Sequence, residues 1–400
     1  HNAISSYRYK FAWLYYVFST WYFRSWRIIE ASRALSNGFY SSLCLPIDLI
    51  IRHKEMFYVY LITLFLKLPS KILILLSGKE QIITKGGRKL DPGFQFLLNR
   101  LGGIFSEKVD FSLSASEIRR KLAKAQEPAK ALNPALPKGV SYVDHEVASG
   151  DGFIRVREYS TNQINKNAPA LIYLHGGGWV LFSIEDHHIF TGFLSKTLEA
   201  KVFSVDYRLA PENPYPSALN DYDSVFEWIE QNHEELGIDP KRISVGGDSA
   251  GGNLSAAISI RRQSESKSPP KAQLLIYPVT DLTFSSDSIE ELADGFFLTK
   301  ESMYWFRDQY LEDQDLVKDP LVSPLFSKDL SGQPPAVVIT AGFDVLRDEG
   351  DAYANLLKSF DVETYHHTFD GYIHGFVNMD MVSGVNQSII KFCKDFKKIY

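Results

Sequence analysis

Cysteine is nearly absent: Cys44 and Cys393 are the only two in 400 residues. Two thiols cannot build a disulfide scaffold or a cysteine metal centre, and their scarcity fits a reducing compartment, with a single disulfide left open. Also missing is any uninterrupted apolar run of the ~18 residues that a spanning helix needs. The sequence has no G-x-x-x-x-G-K-[ST] and no G-x-G-x-x-G opening a helix, so the usual phosphate and dinucleotide loops are excluded. It has no H-E-x-x-H, no internal repeat and no low-complexity tract. Positive charge is not in excess either. The net charge is −5, and an acidic body argues against nucleic acid as a partner.

What is present is an ordinary globular composition, 45% hydrophobic and 23% charged, with a high aromatic share of 14%. The charge is unevenly placed: residues 1–78 carry +6 and the remainder −11. That front segment is aromatic, basic and apolar, as in 11–18 and 56–66. It lacks a clear signal-peptide cleavage site. Trp and Tyr beside Lys and Arg are what an interfacial segment carries, and helices packed as a lid would carry the same residues. The chain starts at His1, so a piece upstream of it is expected.

From Lys79 the character changes. Leu90-Asp91-Pro92-Gly93 reads as a helix start, and Ser114–Leu122 as a second helix with a capping box formed by Ser114 and Glu117. Pro128 and Pro134–Pro137 read as a linker. Eight strands are expected after it, at 142–147, 154–159, 170–175, 202–206, 242–246, 273–277, 336–340 and 362–368. Helices at 190–199, 217–232 and 350–359 separate most of the later ones. Two strands with no helix between them, followed by β–α alternation, predict an α/β fold with a mixed, mostly parallel sheet.

The chain is organised around Gly246-Gly247-Asp248-Ser249-Ala250-Gly251-Gly252-Asn253, which lies between a β-branched run, Arg242–Val245, and a helical stretch. A G-x-S-x-G between strand and helix is a nucleophile elbow. The serine sits on a sharp turn, and only glycine fits two residues before and two after it. His175-Gly176-Gly177-Gly178-Trp179 follows the third strand, and its consecutive glycines can turn backbone N–H groups toward a developing oxyanion. A serine hydroxyl needs a base, and the base needs a carboxylate. Asp344 follows the seventh strand, with Asp348 and Glu349 as rivals. His374 lies in a glycine-flanked loop after the eighth, with His366 and His367 as rivals inside that strand on opposite faces. His187-His188 reads as a helix start near the site, with no metal context. Asp206–Glu212 reads as a structural buttress in which Arg208 pairs with an acid.

These pieces, together with Leu90-Asp91-Pro92, Asp239–Ile243, Asp319–Leu325 and Thr340–Gly350, resemble the hormone-sensitive-lipase family of α/β-hydrolases, in its bacterial G-D-S-A-G esterase branch. The resemblance covers roughly residues 90–400. It implies an α/β-hydrolase fold with an eight-stranded sheet flanked by helices and a helical cap. The expected organisation is an N-terminal extension at 1–78, cap helices at 79–137 and a catalytic domain at 138–400 with a cap insertion at about 281–325. It further implies Ser249 as nucleophile, Asp344 as acid and His374 as base, with an oxyanion hole from the amides of Gly176, Gly177 and Ala250. Trp179, Phe182, Tyr207, Phe296, Val345 and Phe376 are candidate pocket walls.

The implied activity is a serine carboxylesterase acting on short- to medium-chain acyl esters, with no cofactor and no metal. Its partner would be a small-molecule ester and not nucleic acid. A lipase or deacetylase acting on longer lipid esters at a membrane is the alternative. A hormone receptor on the same fold is disfavoured because His374 is present. Residues 1–78 depart from the bacterial pattern. The expected location is the cytoplasm, with room left for peripheral membrane contact through 1–78 and for a homodimer.

Overall fold

The computed structural model describes residues 62–101, 109–131, 135–150, 152–162, 164 and 167–400. The alternatives raised for the N-terminal segment, lid or membrane contact, fall largely outside these residues. Among the described residues no helix is long and apolar enough to cross a membrane.

Eight strands form one sheet: β1 (Val140–Ser149), β2 (Gly152–Thr161), β3 (Ala168–Leu174), β4 (Lys201–Val205), β5 (Ile238–Asp248), β6 (Gln273–Ile276), β7 (Ala336–Phe343) and β8 (Thr364–Ile373). Their spatial order is β1-β2-β4-β3-β5-β6-β7-β8. β1 pairs antiparallel with β2 and β2 with β4, while the remaining pairs are parallel. The middle strands explain the arrangement. β3, β6 and β7 are buried at every position, as continuous apolar runs must be when helices cover both faces of a parallel sheet.

Seven helices bear on the site or its supports: α1 (Ala115–Ala131), α2 (His188–Leu198), α3 (Ser217–Gln231), α4 (Ala250–Ser264), α5 (Lys300–Tyr310), α6 (Arg347–Ser359) and α7 (Val385–Ile399). The α1 capping box forms: the Glu117 amide donates to Ser114 Oγ (3.4 Å) and the Ser114 amide to Glu117 Oε2 (3.1 Å). Pro128 does not end this helix, which continues to Ala131. A proline inside a helix removes one donor and costs roughly 3 kcal/mol, which weakens a helix without obliging it to stop. β8 also outruns its expected end at 368, so His374 stands directly at the strand's C-terminus.

The segment between β6 and β7 carries a short helix, Asp287–Glu291, then α5, then two 3₁₀ turns. Thr299 and Ser302 cap α5 reciprocally, each backbone amide reaching the other's hydroxyl at 3.1 Å. Asn253 near the start of α4 holds this segment down by donating to the carbonyls of Val279 and Val322, both at 2.9 Å.

Candidate active site

β5 ends at Asp248 and α4 starts at Ala250, so Ser249 alone makes the turn. Its φ of 57° and ψ of −119° are strained for a residue with a side chain. The flanking glycines are compelled by close approach. A Cβ on Gly247 would stand 2.4 Å from the Gly251 carbonyl carbon, and one on Gly251 would stand 1.9 Å from the Leu174 carbonyl oxygen. The Ser249 amide donates to the Ile276 carbonyl at 2.9 Å, fixing the turn to the end of β6.

β7 and β8 run parallel beside it, and their C-termini bring two further side chains to the serine. His374 Nε2 lies 2.9 Å from Ser249 Oγ, and His374 Nδ1 lies 2.7 Å from Asp344 Oδ2. A carboxylate can only accept, so Nδ1 carries the proton and Nε2 is left to accept from the serine hydroxyl. Asp344 Oδ1 is occupied by the Leu346 amide at 3.0 Å. The His374 ring packs on Tyr277, with centroids 4.5 Å apart. All three side chains are buried, at 6%, 1% and 5% exposure for Ser249, Asp344 and His374.

The rivals are engaged elsewhere. Asp348 accepts from Arg347 Nε and from the Ser288 amide. Glu349 Oε1 accepts the amides of Thr280 and Asp281. His366 binds Asp351 on α6, and His367 binds Asp395 on α7, so the two do lie on opposite faces of β8.

The glycine loop departs from expectation at its first residue. The Gly176 amide donates to Asp248 Oδ1 at 2.8 Å and is therefore unavailable to an oxyanion. By contrast, the amides of Gly177, Gly178 and Ala250 meet no acceptor among the described residues. Gly177 and Gly178 have φ of 125° and 61°, a backbone that glycine alone adopts easily. A Cβ on Gly177 would stand 2.1 Å from the Leu181 carbonyl oxygen.

Asp248 emerges as an organiser that motif reading did not single out. Besides Gly176 it accepts from Tyr173 Oη at 2.6 Å, and His187 Nε2 lies 3.2 Å from it. Burial disfavours its charge, but His187, the tyrosine hydroxyl and the Gly176 amide outweigh burial and hold the carboxyl at about 2. Burial likewise opposes charge on His187, yet Asp248 raises its pKa. Neighbouring His175 is pushed down to about 4, first by burial and then by His187.

The expected pocket residues divide. Phe182 adjoins Gly177, Val345 follows Asp344, Phe296 packs on Phe343, and Phe376 packs edge-on against Tyr277. Trp179 is instead stacked on Tyr310 of α5, at 4.3 Å and 7°. Tyr207 stacks on His175 and donates to its carbonyl at 2.8 Å. Two aromatics that sequence reasoning missed border the glycine loop and the loop of His374. Phe306 of α5 meets Gly178, and Phe297 meets Gly375 beside His374. No sequence motif marks either one. Among the described residues no group of His, Cys, Asp or Glu could hold a metal ion. Arg208 pairs with buried Asp221 at 2.7 Å, in keeping with its buttress reading.

Residues 171–378, just over half the chain, match the α/β-hydrolase fold family. The chain belongs to that family, in its hormone-sensitive-lipase branch. It is 35% identical over 319 residues to the carboxylic ester hydrolase LipN of Mycobacterium tuberculosis, covering 78% of this chain and 82% of that protein. It is 36% identical to an arylesterase of Saccharolobus solfataricus over 69% of this chain and 89% of that protein. Among solved structures, an ester hydrolase, EH1AB1, from the metagenome of Lake Arreo superposes with a TM-score of 0.72 at 33% identity. That match covers 77% of this chain and 98% of the other.

Proposed function

We propose that this protein is a serine carboxylesterase for short- to medium-chain acyl esters, with Ser249, His374 and Asp344 as its catalytic triad. The observation that carries the reading is the relay Asp344 Oδ2–His374 Nδ1 and His374 Nε2–Ser249 Oγ, at 2.7 and 2.9 Å, on a strained strand-to-helix turn. Relatives named for ester hydrolysis support it.

Ser249 Oγ attacks the ester carbonyl carbon while its proton passes to His374 Nε2. The carbonyl oxygen, now negative, receives the amides of Gly177, Gly178 and Ala250, the last at the start of α4. Gly178 takes the place expected of Gly176. The intermediate collapses, the C–O bond to the alcohol breaks, and His374 returns the proton to the leaving oxygen. Water then gives a proton to His374 and attacks the acyl carbon. The acid departs and Ser249 regains its proton. Asp344 holds the tautomer and orientation of His374 throughout.

Phe306 and Phe297 close the space beside Gly178 and Gly375, which favours modest acyl groups. Segments 79–137 and 281–325 serve as the cap. The two-cysteine composition supports a cytoplasmic location. Hydrolysis of p-nitrophenyl esters from acetate to palmitate tests the proposal. The expected optimum lies between two and about eight acyl carbons. Absence of turnover on the whole series by folded protein would defeat it, and an optimum at palmitate would favour the lipase alternative.

A further inference from the structure

Outside the triad, the loop that presents Gly177 and Gly178 has an anchor that comes from far away in the chain. Arg119 lies on α1, and its side chain is about one-quarter exposed, at 26%. Its Nε donates to the carbonyl of Val180 at 2.7 Å, two residues past Gly178. Nη2 donates to the carbonyl of Ala210, whose own amide donates to the carbonyl of Trp179 at 3.0 Å. Nη1 and Nη2 together hold Glu212 bidentately, at 3.0 and 2.9 Å. One guanidinium thus joins the cap helix, the oxyanion loop and the Asp206–Glu212 loop.

The other side of the same loop is clamped by α5, through Phe306 against Gly178 and Tyr310 against Trp179. Apolar packing permits sliding, whereas a forked donor on two carbonyls and a carboxylate fixes direction. We propose that Arg119 is a positioning residue for the oxyanion hole, so that α1 governs the rate of the chemical step as well as access to the site. The inference rests on the esterase reading above. It assigns Arg119 no contact with substrate. Loss of the anchor lets the Gly177 and Gly178 amides drift, and misplacement by about 1 Å can cost roughly a hundredfold in rate.

The test uses the full chain with Arg119→Met, Arg119→Lys and Glu212→Gln. Kinetics on p-nitrophenyl butyrate are read beside inhibition by an aryl trifluoromethyl ketone and by the matching methyl ketone. The trifluoromethyl ketone accepts Ser249 Oγ at its carbonyl carbon and places an oxyanion in the hole, whereas the methyl ketone binds largely without that bond. For Arg119→Met, kcat should fall about tenfold to a hundredfold with KM within about twofold. Trifluoromethyl ketone affinity should fall in parallel, with methyl ketone affinity unchanged. Arg119→Lys should recover part of the loss, and Glu212→Gln, which keeps the Val180 and Ala210 bonds, should lose little.

Unchanged kcat, or a rise in KM alone, would overturn the proposal, as would equal weakening of both ketones. If Arg119→Met does not fold, Arg119→Lys carries the test, and wild-type affinity for the trifluoromethyl ketone in that variant would count against the inference. A wild-type protein that neither hydrolyses esters nor binds the trifluoromethyl ketone would instead defeat the esterase reading itself.

Discussion

Glu349 lies five residues after Asp344, and the contrast between the two carboxyls is set by what surrounds them. Asp344 has a histidine and an amide. Glu349 is buried, gives Oε1 to the Thr280 and Asp281 amides, and leaves Oε2 without a hydrogen-bond partner among the described residues. Burial raises its pKa well above the ordinary 4.5, against the pull of the two amides. The folded protein therefore holds this proton at pH values where the unfolded chain has released it. The group's contribution to stability is full below the unfolded value and is lost as pH rises toward the folded one. Glu349→Gln keeps an acceptor for the amides and cannot ionise. Its melting temperature should match the wild type near pH 4 and exceed it progressively toward pH 8. A deficit that is constant across that range would show that the carboxyl is ionised in the fold.

At this scale the juxtaposition of Ser249, His374 and Asp344 was legible because each is tied to a strand end by a local motif. The amides proposed for the oxyanion hole were less so. Three consecutive glycines offer three interchangeable amides, and which one is already taken depends on Asp248, a residue that folding brings beside Gly176. Phe297 and Phe306 were illegible for a related reason. Their place is fixed by how α5 and its preceding loop dock, and no periodicity encodes that.

Among the elements, the β5–Ser249–α4 turn carries the heaviest steric demand. Gly251→Ala would put a methyl group 1.9 Å from the Leu174 carbonyl oxygen, which belongs to β3 and cannot yield without moving the centre of the sheet. Gly237→Ala is the control. It has a φ of 64°, but a Cβ there meets nothing within 4 Å, so it should cost only about 1–2 kcal/mol of backbone strain. Thermal unfolding should show Gly237→Ala a few degrees below wild type and Gly251→Ala far below it or unfolded. Near-equal melting of Gly251→Ala and wild type would mean that the elbow is looser than its geometry implies.

Strands were the most readable elements. β3, β6 and β7 are short apolar runs bounded by glycine, proline or charge, and buried parallel strands leave little else possible, whereas β5 starts before its expected 242, at Ile238, and runs through Asp239, Lys241 and Arg242. Ends were less readable. Pro128 sits inside α1, and β8 continues past Thr368 through Phe369, Tyr372 and Ile373 to the histidine. Pairing with β7 continues to Phe343↔Ile373 past a register shift, a tertiary constraint that carries the strand into the stretch expected to be the glycine-flanked loop.

For the whole molecule, the sheet does one job with respect to the site. It sets the C-termini of β3, β5, β7 and β8 along one edge, with β6 between β5 and β7, so that side chains as far apart in the sequence as Ser249 and His374, 125 residues, meet. The segment ahead of β1 is tied to the same region, because the Asp91 amide donates to the Gly371 carbonyl at 2.8 Å, three residues before His374. The central claim is that Ser249 at this junction is the nucleophile of an ester hydrolase. The most direct measurement is kcat on p-nitrophenyl butyrate for Ser249→Ala against wild type, with both proteins shown to have the same melting temperature. The account predicts a fall of about 10⁴- to 10⁶-fold. Turnover within about tenfold of wild type by the variant would contradict it.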